Sequence, residues 1–200
     1  MNGNGQGVEQ LDLLADVGAV VANDDLATHA GNKYWEMRNG YALPAGSGSI
    51  KSLGERLSSD AALSSAAAAA LRVGVHWETQ VQPPGEHRVC QVFASALPVA
   101  YAWSTPASDW APFAKLVLDA AYDATLLAAR CKAAETETGA RVRVYLTCLG
   151  GGAFGNKPAW IREAIKKALK AHHDAPLDVF LVHYGSEVPP EWAAIHVDDV

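Results

Sequence analysis

The sequence predicts an α/β fold of three layers, α/β/α, with helices on both sides of a mixed, largely parallel sheet. Two kinds of segment carry this prediction. Val89–Val99, Val142–Cys148 and Leu177–Val182 are nearly continuous apolar runs, typical of strands covered on both faces. Between them, residues from about Ser108 onward repeat apolar side chains at helical spacing. Because strands and helices alternate along the chain, a parallel arrangement with covering helices is favoured.

Composition limits the classes of protein that fit. The chain has 200 residues, of which 50% are hydrophobic and 19% charged, so we expect one domain with a substantial core. The net charge of −6 excludes a broad phosphate-binding surface for nucleic acid. It leaves room for one small anionic ligand at a local site.

Cysteine usage and the absence of apolar spans predict a cytoplasmic protein. Cys90, Cys131 and Cys148 show no paired spacing and lie in apolar runs, which indicates free, buried thiols in a reducing compartment. Residues 1–7 are polar and glycine-rich, unlike a signal peptide. No apolar stretch is long enough to cross a bilayer, so no membrane partner is expected.

The chain divides into three parts. Residues 1–8 are predicted to be a disordered tail, residues 9–70 a helical and hairpin segment packed on the core, and residues 71–200 the α/β core. In the second part we expect a helix over 9–22, a polar loop, a hairpin over 33–43 turning at Asn39-Gly40, and helices over 50–57 and 60–71, the first capped by Ser49 and the second by Asp60.

The core begins with a strand over 71–81, where apolar and polar residues alternate. The apolar strand 89–99 and the long helix follow. A helix starting near Pro158 is predicted because proline is favoured in a first turn, and its lysines and histidines suit a helix C-terminus.

A glycine loop joins strand 142–148 to that helix. It reads Gly150, Gly151, Gly152, Ala153, Phe154, Gly155, Asn156. Glycines let backbone amides approach a ligand without an intervening Cβ, and the helix N-terminus adds unpaired donors. This combination is typical of a diphosphate cradle, whereas the simpler interpretation is a tight strand-to-helix turn.

Two common phosphate motifs fit the loop poorly. Gly150, Gly152 and Gly155 match the dinucleotide GxGxxG spacing, but the next strand ends in His183-Tyr184 rather than in an acidic residue. The P-loop pattern fails because Pro158 stands where a serine or threonine would bind magnesium.

A third pattern matches better. The segment VRVYLTCLGGGAFGNKPAWIREAIKKAL resembles the second ligand loop of macrodomains, which bind ADP-ribose. KLVLDAAYDATLLAA, QVFASALPVAYAW and DVFLVHYG resemble the neighbouring macrodomain helix and strands, in the right order. The resemblance covers about residues 89–184, and the GAFGN loop is similar to that of microbial poly(ADP-ribose) glycohydrolase-like members.

The resemblance implies binding of ADP-ribose or a related nucleotide diphosphate, and as a variant the hydrolysis of an ADP-ribose conjugate, without a cofactor or metal. Residues 150–156 would wrap the diphosphate and Phe154 would pack against a ribose. Tyr184 would lie near the adenosine, and Ser95, with Ala96, would line the floor.

The chain departs from the family in two places. A first ligand loop with an asparagine and a glycine run is missing, with only VGAVVAN, ending at Asn23, as a faint echo. The paired glutamates of the glycohydrolase signature are also missing, so no residue is assigned as catalytic.

Asp24 and Asp25, which lie with His29 in a polar loop, could supply acid–base chemistry or a metal ligand, although adjacent aspartates in a loop are more often solvated or at a helix end. Asn39, in the hairpin turn, is a further catalytic candidate. The pair His76 and Glu78 is better interpreted as part of a polar outer face, and His172-His173 lacks metal-ligand spacing. The alternative function is a non-catalytic structural or interaction protein in which the glycine loop is only a turn.

Overall fold

The computed structural model describes residues 11–23, 33–82, 85–136, 140–185, 187–193 and 195. The predicted tail and the candidates Asp24 and Asp25 lie outside these ranges. The elements are α1 (Ala15–Val20), β1 (Trp35–Arg38), β2 (Tyr41–Pro44), α2 (Ser49–Ser59), α3 (Ala61–Ala69), β3 (Gly74–Gln80), β4 (Arg88–Phe93), α4 (Ala107–Glu135), β5 (Val142–Thr147), α5 (Pro158–Ala171), β6 (Leu177–Val182) and α6 (Pro190–Ala193), with a 3-10 turn at Val99–Tyr101. Helices and strands both occur, as a mixed α/β class requires.

The strands pair two by two rather than in one sheet. Within the described residues, β1 pairs with β2 and β3 with β4 in antiparallel hairpins, and β5 pairs with β6 in parallel. The expected parallel arrangement is therefore present for β5 and β6 alone. Their register runs from Val142 opposite Leu177 to Thr147 opposite Val182.

The prediction of one buried strand over Val89–Val99 is wrong. The strand ends at Phe93 and is exposed along much of its length, with Phe93 itself 56% exposed. The chain then runs through a buried irregular segment, Ala96–Val99, into the 3-10 turn. Pro98 has no N–H to donate to a sheet, which is a physical reason why the predicted strand does not continue through it to Val99.

Helix α4 lies at the centre of the described core. Helices α2, α3 and α5 and strands β5 and β6 all contact it. Trp110, Phe113, Leu118 and Leu126 of α4 are completely buried. The ring of Phe113 lies 5.1 Å from that of Trp35, so the β1–β2 hairpin is packed on this helix.

Asn23 fastens α1 to the β1–β2 hairpin. Its Oδ1 accepts hydrogen bonds from the amides of Tyr34 and Trp35, and its Nδ2 donates to Trp35 O. The side chain is buried, so these bonds satisfy groups that would otherwise lose water without compensation. Asn23 therefore has a structural role. The segment VGAVVAN, which faintly resembles a first macrodomain ligand loop, lies in α1 and the turn after it.

Several local predictions are confirmed and others are corrected. The hairpin turn at Asn39 and Gly40 is present, with φ of 51° and 80°, and the Asp60 side chain caps α3 by accepting from Leu63 N. Ser49 is inside α2 rather than its cap, because Gly48 occupies that position. Cys90, Cys131 and Cys148 are not in disulfides, as expected, but Cys90 and Cys131 are exposed rather than buried. No helix of the described chain has the length and apolar character needed to cross a membrane.

Candidate functional site

The glycine loop leaves β5 at a strand end that α4 holds in place. The Tyr122 hydroxyl donates to Thr147 O at 2.6 Å and accepts from Leu149 N at 2.9 Å. Burial raises the pKa of the Tyr122 hydroxyl far above its ordinary value, so it remains protonated and can donate. The start of the loop is therefore fixed by a buried side chain that the sequence did not identify as part of the site.

Both ends of the loop require glycine. Gly150 and Gly155 have φ of 72° and 71°, a left-handed conformation that other residues rarely adopt. A Cβ on Gly150 would lie 2.3 Å from the Cβ of Ala96, and one on Gly155 would lie 2.8 Å from the Cβ of Ala100. The loop ends thus press against the segment that follows β4.

Hydrogen bonds of Asn156 hold the base of the loop closed. Its Nδ2 donates to Leu97 O at 2.8 Å and to Gly150 O at 3.3 Å, while its amide N donates to Gly150 O at 3.0 Å. Carbonyl oxygens only accept, so the amide group must present its nitrogen to them. The side chain is 2% exposed, and its Oδ1 is buried with no hydrogen-bond partner in the described structure.

The tip of the loop is open where its base is closed. An added Cβ on Gly152 would meet nothing within 4 Å, and Gly151, Gly152 and Ala153 are exposed. Within the described residues, no hydrogen bond engages the amide N–H groups of Gly150, Gly152, Ala153 and Phe154. The remaining loop amides, of Gly151, Gly155 and Asn156, all bond to backbone carbonyls. Four donors are therefore left for an outside acceptor.

The N-terminus of a helix, which carries partial positive charge, lies next to these donors. Helix α5 begins at Pro158, directly after the loop, and its N-terminus carries partial positive charge. The exposed Lys157 adds a full charge, and its Nζ lies 5.4 Å from the ring centroid of Trp160. The loop and helix start together can accept an anion.

Phe154 belongs to an aromatic cluster that the sequence did not predict. Its ring meets Tyr41 of β2 at 5.8 Å and Tyr101 of the 3-10 turn at 5.4 Å, edge to face in both cases. Tyr41 and Tyr101 also meet edge to face, at 5.2 Å. These tyrosines are partly exposed, 37% and 43%, so the cluster forms a surface beside the loop. The N-terminal hairpin thereby reaches the candidate site.

The other predicted site residues are scattered. Ser95 is exposed, and its Oγ donates to Ala96 O, while Ala96 itself lies under Gly150. Tyr184 is fully exposed, one residue beyond His183 at the end of β6. Asn39 is exposed in the hairpin turn, and its left-handed φ explains its presence there.

Glu78 and His76 do not form an acid–base pair in β3. A bulge shifts the register between His76 and Thr79, and Glu78 adopts a φ of 53° inside it. Glu78 accepts instead from Lys132 of α4 at 2.5 Å, and this ion pair lowers the pKa of the Glu78 carboxyl.

His183 is a further polar residue near the loop. It lines a small cavity of about 80 Å³ with Thr147, Cys148 and Val182, at the carboxyl ends of the two parallel strands. That edge is where parallel sheets commonly bind ligands. Its Nδ1 is buried without a hydrogen-bond partner in the described structure. The described residues contain no cluster of three or more potential metal ligands.

Comparison with known proteins adds no relative. No family model matches the chain, and neither a curated protein nor a solved structure matches it. The geometry of the loop is therefore the basis for assigning a function.

Proposed function

We propose that this protein binds ADP-ribose or a related nucleotide diphosphate through residues 150–156. One observation carries the proposal: within the described residues, the amide N–H groups of Gly150, Gly152, Ala153 and Phe154 have no acceptor, whereas the other three loop amides are bonded to backbone carbonyls. A diphosphate supplies acceptor oxygens and negative charge at the start of a helix, where both are stabilising.

The fold proposed with this function is a macrodomain-like three-layer arrangement. Its support is the order β5, glycine loop, α5, β6, together with the parallel pairing of β5 and β6. Cys90, Cys131 and Cys148, none of which is in a disulfide, support a reducing, cytoplasmic setting.

Calorimetry with ADP-ribose tests the binding. Gly152→Glu should leave the fold intact because the position is open, and should weaken binding at least about tenfold by placing a carboxylate beside the donors. Gly46→Glu is the matched control, since Gly46 is also exposed, lies outside the loop and has nothing within 4 Å of an added Cβ. Absence of heat and of a thermal shift for the parent protein at millimolar ADP-ribose would refute the proposal.

Hydrolysis of an ADP-ribose conjugate is proposed as the reaction such a site serves. Release of ADP-ribose from a modified peptide measures it. Asn39→Gly removes the side-chain amide while permitting the left-handed turn, and Asp24→Asn and Asp25→Asn remove one charge each. Turnover that persists in the triple variant would remove all three residues from the mechanism.

The alternative is a non-catalytic structural or interaction protein. The aromatic cluster favours it, because Phe154 already has ring partners within the chain and needs no ribose. In that case Phe154→Ala lowers the melting temperature, and the parent protein gives no response to ADP-ribose.

A further inference from the structure

The tyrosines of the aromatic cluster lie directly beside the open tip of the glycine loop. The cluster consists of Tyr41, Tyr101 and Phe154, whose ring centroids are 5.2 to 5.8 Å apart. Phe154 is itself a loop residue, and its amide N–H is one of the donors without an acceptor in the described structure. Its carbonyl accepts from Ala100 N at 2.9 Å, which ties the 3-10 turn that carries Tyr101 to the loop. A ligand bound at the loop tip therefore lies next to both tyrosine rings.

The packing of the cluster fixes the tyrosine rings without burying them. The three rings meet at interplanar angles of 71°, 80° and 88°, and no ring of the described residues stacks in parallel on either tyrosine. Both Tyr41 and Tyr101 are exposed. The exposed part of each ring is therefore available to a planar group, and stacking of such a group on an aromatic ring is favourable.

The charges beside Tyr41 cancel each other. Arg38 stands opposite Tyr41 in the β1–β2 register, so the two side chains are on the same face of the hairpin. The Arg38 guanidinium donates to Glu36 Oε2, from Nη2 at 2.7 Å and from Nε at 3.1 Å. At the loop tip, by contrast, the exposed Lys157 and the start of α5 favour an anion. The two neighbouring surfaces together match a ligand that has an uncharged planar part and an anionic part.

We infer that the aromatic cluster is the base subsite of this nucleotide site, where the adenine ring stacks on the exposed rings of Tyr41 and Tyr101. The inference rests on the proposed function, because the diphosphate on the loop amides brings the base to the cluster. The ribose that joins base and diphosphate lies beside Phe154. This placement differs from the one that the macrodomain resemblance implies, in which the adenosine lies near Tyr184. That tyrosine is fully exposed and has no ring partner within the described residues.

Two ligands that differ in the base test this placement. They are ADP and ribose 5-diphosphate, each titrated into the full chain by calorimetry. Both carry the same sugar and the same diphosphate group, so the difference in affinity reports the base. We expect ADP to bind at least about tenfold more tightly, because a base gains affinity by stacking on aromatic side chains. In NMR spectra, nuclear Overhauser contacts should join the adenine protons to the ring protons of Tyr41 or Tyr101.

Two variants remove the stacking surface. Tyr41→Leu and Tyr101→Leu each replace an aromatic ring by an apolar side chain that cannot stack. Each should weaken ADP binding at least about fivefold. Binding of ribose 5-diphosphate should stay unchanged, which would show that the loop is intact in the variant. Tyr145→Leu is the matched control, since Tyr145 is an exposed tyrosine of β5 outside the cluster, and it should bind both ligands as the parent does.

The results that contradict the base subsite differ from those that contradict the proposed function. Equal affinity of the parent for the two ligands would overturn the base subsite and leave diphosphate binding by the loop in place. Overhauser contacts to Tyr184 instead of the cluster would do the same. Failure of both ligands to bind at millimolar concentration would refute the proposed function and the base subsite with it. The ligand comparison and the Overhauser contacts use the parent protein, so misfolding of a variant leaves the test intact.

Discussion

The glycine loop and the β3–β4 hairpin are both attached to helix α4, but by different kinds of contact. The loop is held by hydrogen bonds of the buried residues Tyr122 and Asn156 and by glycines that fit against neighbouring alanines. The hairpin contacts the same helix through an exposed ion pair, Lys132 with Glu78. Buried bonds are costly to break, whereas exposed ion pairs contribute little. The comparison therefore predicts a rigid loop base and a weakly attached hairpin.

The largest effect is expected at the loop base. Gly150→Ala should lower the free energy of unfolding by about 3 kcal/mol, from a strained φ together with a clash with Ala96. Denaturant unfolding measures it, and Gly152→Ala, at the open tip, is the control that should change little. Equal stability of the two variants would contradict the division into a closed base and an open tip.

Asn156→Ala comes next. Removing the amide leaves Leu97 O without this donor in a buried position, and we expect a loss of about 2 kcal/mol in unfolding free energy. Asn156→Asp should lose at least as much, because a carboxylate oxygen would face two carbonyl oxygens. A loss below about 0.5 kcal/mol in both variants would show that the hydrogen bonds of Asn156 are not needed for stability.

Tyr122→Phe should have a smaller effect, about 1 kcal/mol. It removes the hydroxyl between Thr147 O and Leu149 N but keeps the ring in the core. Hydrogen exchange of the Leu149 amide should become faster than in the parent, while exchange in β3 stays the same. An unchanged exchange rate at Leu149 would show that the Tyr122 hydroxyl does not hold the start of the loop.

The smallest effect is expected at the hairpin and depends on pH. The Lys132 ammonium lowers the folded-state pKa of Glu78 below 4.5, so the pair stabilises the protein above that value. The contribution disappears as the pH falls through the lowered pKa and Glu78 becomes protonated. The stability difference between the parent and Glu78→Gln should therefore be small at neutral pH and should vanish once the pH has fallen below the lowered pKa of Glu78. A stability difference that grows on acidification would have the opposite sign and would show that the ion pair between Glu78 and Lys132 is not its source.

Some of these features could be predicted from the sequence. The Asn-Gly hairpin, the Asp60 cap and helix α5 beginning at Pro158 all depend on local backbone preferences, and all three are present. The strands β5 and β6 were also found, because continuous apolar runs of this length are characteristic. The glycine loop was identified as a candidate site for the same reason, since its composition is a local property.

Other features depended on contacts between distant residues. The prediction of a buried strand over 89–99 failed because an apolar run does not reveal which elements pack against it. In the described structure Phe93 remains largely exposed. Tyr122, Tyr41 and Tyr101 show no local signal for the loop that they contact. Cys90 and Cys131 lie in apolar surroundings in the sequence but at the surface in the fold.

The sequence by itself determined the local elements and the position of the glycine loop, because turn, cap and helix preferences act over a few residues. The tertiary structure alone decided that the loop base is closed and its tip is open. That division depends on the approach of Ala96, Leu97 and Ala100 to the loop. The free donors at the tip exist because those contacts satisfy the base and leave the tip with no partner from the described chain.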